Sequence, residues 1–163
     1  MTYTNGIKEY ATMGICYGAL MGLCFGLIYQ GLLLGIISGI LCGVLFSLLM
    51  ALFVKSMEKK FAKKRAEIAS QRRVICDGAA TINGNGGWLF LTEKGLEFYP
   101  HKANFSKNEL FVPIQTIASV QVKRNQIIVA NDKGLSAAII VVHNKEWKAQ
   151  IDAAVEALKQ NEG

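Results

Sequence analysis

Hydrophobic residues are distributed unevenly along the chain. From Ala11 to Val54 the sequence contains no Asp, Glu, Lys, Arg, His or Pro. The polar and flexible Tyr29-Gln30-Gly31 divides this run into residues 11–29 and 32–54. As helices these segments would be roughly 28 Å and 34 Å long, since an α-helix rises about 1.5 Å per residue. Each length suits a hydrocarbon core of about 30 Å. The pattern therefore predicts a transmembrane helical hairpin over residues 11–54, after a short N-terminal segment 1–10.

Glycine recurs at every fourth position in both predicted spans. A step of four residues advances only about 40° around a helix, so each set of glycines forms one slowly winding groove. Such a groove lets another backbone approach closely, and the pattern resembles the glycine zippers of membrane proteins. Either the two grooves face each other within one hairpin, or one of them faces another copy and builds a homo-oligomer. The predicted helix-packing residues are Gly14, Gly18, Gly22, Gly26, Gly31, Gly35, Gly39 and Gly43.

Basic residues are concentrated directly after the second span. Residues 55–73 hold eight Lys or Arg against two Glu, a net charge of +6 that equals the net charge of the whole chain. The apolar positions Met57, Phe61 and Ile68 predict that the helix continues through this segment. Basic residues beside a span favour the cytoplasmic side, so we expect both termini to be cytoplasmic. They also favour anionic lipid over nucleic acid as partner. The basic residues are Lys55, Lys59, Lys60, Lys63, Lys64, Arg65, Arg72 and Arg73.

After Arg73 the hydrophobic period changes from that of a helix to two. Turn residues such as those at 83–87 and 131–134 separate short alternating segments, which is typical of antiparallel strands. A final amphipathic segment, residues 145–160, places Trp147 and Ile151 on one face. Residues 74–163 therefore predict an all-β small barrel or sandwich capped by a C-terminal helix. The predicted strands are 74–82, 88–92, 95–99, 110–113, 119–124, 126–130 and 137–142.

Five short motifs follow one another in this part of the chain. They are Gly87-Trp88-Leu89-Phe90-Leu91-Thr92, Gly95-Leu96-Glu97-Phe98-Tyr99 with His101-Lys102, Asn108-Glu109-Leu110, Ile117-Ala118-Ser119-Val120 and Lys145-Glu146-Trp147. In this order and spacing, residues 75–158 resemble a GRAM domain, a member of the pleckstrin-homology-like superfold. The resemblance implies a module that binds membrane lipids or peptides and does not itself catalyse a reaction.

The resemblance also implies a role for the loop between the first two strands, where lipid-binding members of the family usually carry basic residues. Here that loop is predicted over Asn83–Gly87, and it contains no Lys or Arg. Its backbone amides could still cradle an anion, as glycine-rich loops do elsewhere. The side chains left as candidates for an anionic headgroup are Lys94, His101, Lys102 and Lys107.

The sequence contains no recognisable catalytic or metal-binding motif. None of its four cysteines forms a C-x-x-C pair, and neither histidine has a Cys, Asp or Glu at ligand spacing. We therefore expect no enzyme activity, no metal site and no cofactor. Three functions remain open. The chain could be a membrane-anchored adaptor for a lipid headgroup or protein partner, an oligomerising effector that permeabilises the bilayer through its glycine-rich helices, or a structural subunit of a larger membrane complex.

Overall fold

The computed structural model describes residues 1–4, 7–101 and 109–161. The chain divides into two compact units. One unit covers residues 5–62, and the other combines residues 1–4 with residues 63–163. We describe each unit by itself.

The first unit is built from two helices, α1 over Ile7–Ile28 and α2, which begins at Leu32 and continues to Ala69 in the second unit. The helices are separated at the predicted break. Gln30 has a positive φ of 48°, and the Gly31 N–H donates to the Gly26 carbonyl at 3.2 Å. Helix α2 extends past Val54 into the basic segment and ends at Ala69, four residues before the predicted end at Arg73. Both helices are long and apolar enough to cross a membrane.

The glycine ladders of the two helices face each other. A Cβ atom on Gly18 would lie 2.5 Å from the Gly39 carbonyl oxygen, and one on Gly39 would lie 2.7 Å from the Gly18 carbonyl oxygen. Real Cβ atoms do not approach oxygen this closely, so only glycine permits the backbones to meet here. Aliphatic side chains elsewhere on the hairpin are exposed, Leu27 to 80% and Leu32 to 82%.

The second unit is an antiparallel sheet capped by a helix, which confirms the predicted fold class. Its elements are β2 (Val74–Ile82), β3 (Asn85–Thr92), β4 (Gly95–Pro100), β5 (Leu110–Pro113), a 3-10 turn (Ile114–Thr116), β6 (Ile117–Lys123), β7 (Gln126–Asn131), β8 (Ser136–Val141) and α3 (Asn144–Asn161). These strands are joined in the order β5-β4-β3-β2-β8-β7-β6. Helix α3 packs Trp147 and Ile151 into the core, both fully buried. A seven-stranded antiparallel sheet with a terminal helix is the pleckstrin-homology-like arrangement.

A further strand, β1 (Thr2–Tyr3), joins this sheet and is absent from the sequence-based prediction. It pairs in parallel with β2, with Thr2 opposite Asp77 and Tyr3 opposite Gly78. The Tyr3 side chain is only 6% exposed and belongs to the core. The chain thus begins within the second unit, leaves it for the hairpin, and returns to it through α2.

Candidate functional site

The loop expected between the first two strands of the barrel is a tight turn. Asn83 and Gly84 both have positive φ, 50° and 76°, which is typical of a two-residue type I′ hairpin turn. Asn85, Gly86 and Gly87 already belong to β3, so this strand begins three residues earlier than the predicted start at Trp88. The expected open glycine loop is therefore a compact hairpin end, without the concave run of free amides that an anion needs.

The structure places Lys94 and His101 far apart. Lys94 lies in the β3–β4 turn, next to the end of the basic segment, because the Glu93 N–H donates to the Arg73 carbonyl at 3.2 Å. The His101 N–H donates to the Gly86 carbonyl at 2.9 Å, which places His101 at the opposite end of β4. The seven residue steps of extended chain from Lys94 to His101 correspond to about 23 Å. Lys94 and His101 do not form one headgroup site, and Lys102 and Lys107 lie outside the described residues.

The eight basic residues of segment 55–73 fall into two groups. Five are exposed, and Lys55, Lys59 and Lys63 among them are spaced by four, so they share one face of α2. We call the exposed lysines of α2 the basic face, and they are Lys55, Lys59, Lys60 and Lys63. Arg73 is also exposed, and it follows the end of α2 at Ala69. The other three are partly buried, and each has an acidic or aromatic partner. Lys64 lies 4.9 Å from the centre of the Tyr99 ring, and Arg65 and Arg72 pair with carboxylates described next.

Arg72 belongs to a polar cluster on β3 and β4. Glu97 is 4% exposed and accepts hydrogen bonds from Arg72, from the Thr92 hydroxyl at 3.1 Å and from the Tyr99 hydroxyl at 2.9 Å. Burial, followed by the hydrogen bond to Glu97, raises the pKa of Tyr99 to about 12. An adjoining cavity of about 260 Å³ is also lined by Glu109. Because Glu97 neutralises Arg72 and Glu109 adds negative charge, this cavity does not suit an anion.

A second polar cluster surrounds Asp77, which is 3% exposed on β2. Its carboxylate accepts hydrogen bonds from Trp88 Nε1 at 2.9 Å and from the Thr2 hydroxyl at 3.0 Å. Arg65 lies 3.4 Å from the same carboxylate and donates to the Thr2 hydroxyl at 2.8 Å. Four separate parts of the chain meet at this carboxylate. No local pattern in the sequence predicts the cluster, since its members are up to 86 positions apart.

Cys76 lies beside Asp77 with its side chain fully buried. Burial raises the pKa of its thiol to about 12, so this cysteine stays protonated and unreactive at neutral pH. Among residues 1–4, 7–101 and 109–161, no group of three or more His, Cys, Asp or Glu side chains is arranged to hold a metal ion. The two clusters of buried charge join elements of the domain.

Comparison with solved structures finds similar domains at low sequence identity. The solution structure of a pleckstrin homology domain matches with a TM-score of 0.43 at 17% identity, over 55% of this chain and 92% of that one. The N-terminal PH domain of human ARAP2 matches with a TM-score of 0.40 at 18% identity, over 50% of this chain and 79% of that one. The FERM and C-terminal domain complex of Drosophila Merlin matches with a TM-score of 0.44 at 13% identity, over 56% of this chain.

The chain covers only 31% of the length of the Merlin chain. No protein-family model matches the sequence, and no curated protein matches it. The strand order and the terminal helix of the second unit are those of a pleckstrin-homology-like fold.

Proposed function

We propose that this protein is a membrane-anchored adaptor with no enzyme activity. In this proposal, α1 and α2 anchor the chain in the bilayer, and the basic face lies against anionic headgroups. The pleckstrin-homology-like domain, of GRAM type by its sequence motifs, then binds a partner at the cytoplasmic surface. The observation that carries the proposal is the change in α2 from 23 uncharged positions, residues 32–54, to the exposed lysines that begin at Lys55.

The composition of the hairpin supports its position in lipid. Many of its outward side chains are aliphatic and exposed, while glycine backbone atoms of the two helices face each other inside the hairpin. Water would leave these aliphatic side chains unfavourably solvated, whereas a hydrocarbon core would cover them. Strand β1 and the strands that follow α2 belong to the same sheet. This supports a hairpin that returns the chain to the side on which it started, and the basic residues favour the cytoplasm for that side.

In this proposal, the basic face is the part of the protein that selects anionic lipids. A Lys or Arg close to a membrane rich in anionic lipid contributes about 1 kcal/mol to binding. Lys94 lies near Arg73, because the neighbouring Glu93 N–H donates to the Arg73 carbonyl. We therefore assign Lys94 and Arg73 to the lipid contact.

Topology is tested by labelling single cysteines from each side of the membrane. Cys76 is unsuitable because it is fully buried, so the reporters are Lys133→Cys on the exposed β7–β8 turn and Gln30→Cys between the helices. Each would be introduced into a chain whose native cysteines are replaced by Ala. We expect an impermeant maleimide to reach Lys133→Cys only from the cytoplasm and Gln30→Cys only from the other side. Labelling of both from one side would contradict the anchoring hairpin.

Lipid contact is tested by amine labelling of the reconstituted full chain. Lys55, Lys59 and Lys63 should be protected in vesicles of phosphatidylcholine with phosphatidylserine, compared with phosphatidylcholine alone. The protection should disappear at high salt, because ions screen charges beyond about 10 Å at 0.1 M. Lys133 is the control within the same chain, and its labelling should not depend on the lipid. Equal labelling of Lys55, Lys59 and Lys63 in both vesicles would contradict a role of the basic face in lipid binding.

The oligomerising effector remains the second proposal, and the structural subunit the third. The first unit packs each glycine ladder against the other, so an effector would have to assemble through a different surface of the hairpin. Dye release from vesicles that contain the protein would favour the effector over the adaptor. Purification in fixed stoichiometry with other membrane proteins would favour the structural subunit.

A further inference from the structure

Strand β1 fills a groove beside β2. On this side of β2, strand β8 pairs only with Ala80, Thr81 and Ile82, and β1 occupies the positions beside Asp77 and Gly78. The Asp77 N–H donates to the carbonyl of Met1 at 2.9 Å. The segment 1–4 is thus held as an extended peptide would be held at a sheet edge, through backbone hydrogen bonds.

The groove has a specific place for an aromatic side chain. The Tyr3 ring lies 5.6 Å from the ring of Trp147 and 5.9 Å from that of His143, measured between centroids. Gly78 makes room for the strand, since a Cβ atom there would lie 2.4 Å from the Tyr3 carbonyl oxygen. The three atoms nearest to that position all belong to Tyr3. The absence of a side chain at Gly78 therefore matches the presence of β1.

The groove also binds the hydroxyl group of Thr2 through Asp77 and Arg65. These two side chains keep other partners when the hydroxyl is absent. The Thr2 hydroxyl donates to Asp77 and accepts from Arg65. If β1 leaves, the Asp77 carboxylate keeps Trp88 as a donor and Arg65 as a counterion. A buried carboxylate without partners would cost several kcal/mol, but Asp77 does not become one. The Asp77 side of the groove therefore keeps its hydrogen bond to Trp88 and its ion pair with Arg65 when Thr2 is absent.

We propose that this groove accepts the N-terminal strand of a second copy in place of its own, so that two copies pair by exchanging residues 1–4. Every copy carries a segment that fits, with a hydroxyl at Thr2 and an aromatic ring at Tyr3. Only Asn5 and Gly6 separate Thr4 from the start of α1 at Ile7. This connector reaches at most about 11 Å, which restricts exchange to copies in direct contact. Exchange of one element across a short connector is an established route to dimers.

The test separates donor from acceptor in full-length chains that carry different tags. Gly78→Val fills the groove and leaves the strand intact, so this chain can only donate. Tyr3→Ala weakens the strand and leaves the groove open, so this chain can only accept. After coexpression and solubilisation in mild detergent, we expect the mixed pair to copurify above the level of either variant paired with itself. Copurification should be lost when the donor also carries Tyr3→Ala.

Two further variants keep the outcome clear. Gly86→Val is the matched control for Gly78→Val, because a Cβ atom at Gly86 meets nothing within 4 Å, and it should leave the ability to accept intact. Thr2→Val provides a second acceptor, in which the strand loses its hydroxyl contacts with Asp77 and Arg65 while the Tyr3 site is unaltered. If neither acceptor retains the donor above the level of the self-paired variants, the exchange proposal is wrong.

Discussion

Each of the two units is stabilised internally by a different kind of contact. In the hairpin, backbone faces backbone at glycines such as Gly18 and Gly39. In the domain, the core is made of large side chains, with Trp147, Phe90 and Leu91 fully buried. The domain also buries charge in pairs, such as Glu97 with Arg72, whereas residues 11–54 contain no charge.

The proposed anchoring of the hairpin in lipid accounts for this difference. A domain in water gains free energy mainly by removing apolar side chains from water, at about 25 cal/mol per Å². Helices in lipid gain little from that effect, so close packing of small residues has to hold them together. We therefore expect the hairpin to be destabilised by substitutions that add side-chain atoms, and the domain by substitutions that remove them.

Adding a side chain to the glycine ladder should have the largest effect. Gly39→Leu places atoms where the Gly18 carbonyl lies, and backbone cannot move aside as a flexible side chain can. We expect the closed hairpin to be lost, which can be measured by energy transfer between dyes on α1 and α2 in detergent. Gly18→Leu should do the same, since both glycines belong to one interface.

Alanine substitutions at Gly39 and Gly26 add the same methyl group in different surroundings. At Gly39 its Cβ would lie 2.7 Å from the Gly18 carbonyl oxygen, but at Gly26 the nearest atom is 3.6 Å away. Gly39→Ala should therefore open the hairpin partly, while Gly26→Ala should leave it closed. Equal behaviour of the two variants would mean that the ladders are not in contact.

Removing a core ring should be the most damaging change in the domain. Trp147→Ala leaves a cavity in α3's contact with the sheet, and we expect it to lower the free energy of unfolding by about 4 kcal/mol. Phe111→Ala is the control, because Phe111 is 53% exposed and little burial is lost there. Thermal denaturation followed by near-ultraviolet circular dichroism measures both. Similar losses would show that α3 does not close the core.

Breaking the buried ion pair of Arg72 and Glu97 tests the contribution of buried charge, which residues 11–54 lack. Arg72→Met removes the cation from Glu97, whose carboxylate then stays buried with only the hydroxyls of Thr92 and Tyr99. We expect a loss of about 3 kcal/mol, because an uncompensated buried charge is costly. The double variant Arg72→Met, Glu97→Gln should recover part of it in chemical denaturation. No recovery would show that the aliphatic part of Arg72, and not its charge, provides the stability.

The sequence predicted regular elements well because their patterns are local. The turn at residues 29–31, the extension of α2 and the two strands at 74–82 and 110–113 agree with the structure. The start of β3 was misplaced because Asn83-Gly84, a typical two-residue turn, is followed by Asn85, Gly86 and Gly87, which look like loop. Asn-Gly strongly favours a two-residue hairpin turn, and this preference alone predicts the start of β3 at Asn85.

Long-range contacts could not be predicted in the same way. Strand β1 has only two residues, too few to show an alternating pattern. Its partners Asp77 and Gly78 are about half a chain length away, and neither carries a recognisable motif. Likewise, Lys94 and His101 are close in sequence, but an extended strand carries them to opposite ends of the sheet. Proximity along the chain was a poor guide to a shared binding site.

The smallest effect concerns the Cys76 thiol, and it tests how completely the domain core excludes water. Burial raises the pKa of this thiol from 9.0 to about 12, with the nearby Asp77 carboxylate also raising it. The unfolded chain therefore loses the proton at a lower pH than the folded one. The stabilising contribution is fully present below pH 9 and is lost as the pH rises from 9 to 12. At pH 10 the loss should be about 1.4 kcal/mol.

The control for this last change is Cys76→Ala, which removes the titrating group but keeps a small apolar side chain. Urea denaturation of both chains in detergent at pH 8 and pH 10 isolates the thiol, because every other group titrates in both. The raised pKa of Tyr99 adds a loss of its own above pH 10, and it does so equally in both chains. The stability difference between the wild-type chain and Cys76→Ala should therefore shrink by about 1.4 kcal/mol between the two pH values. A constant difference would mean that water reaches Cys76, and the core beside β1 would then be open.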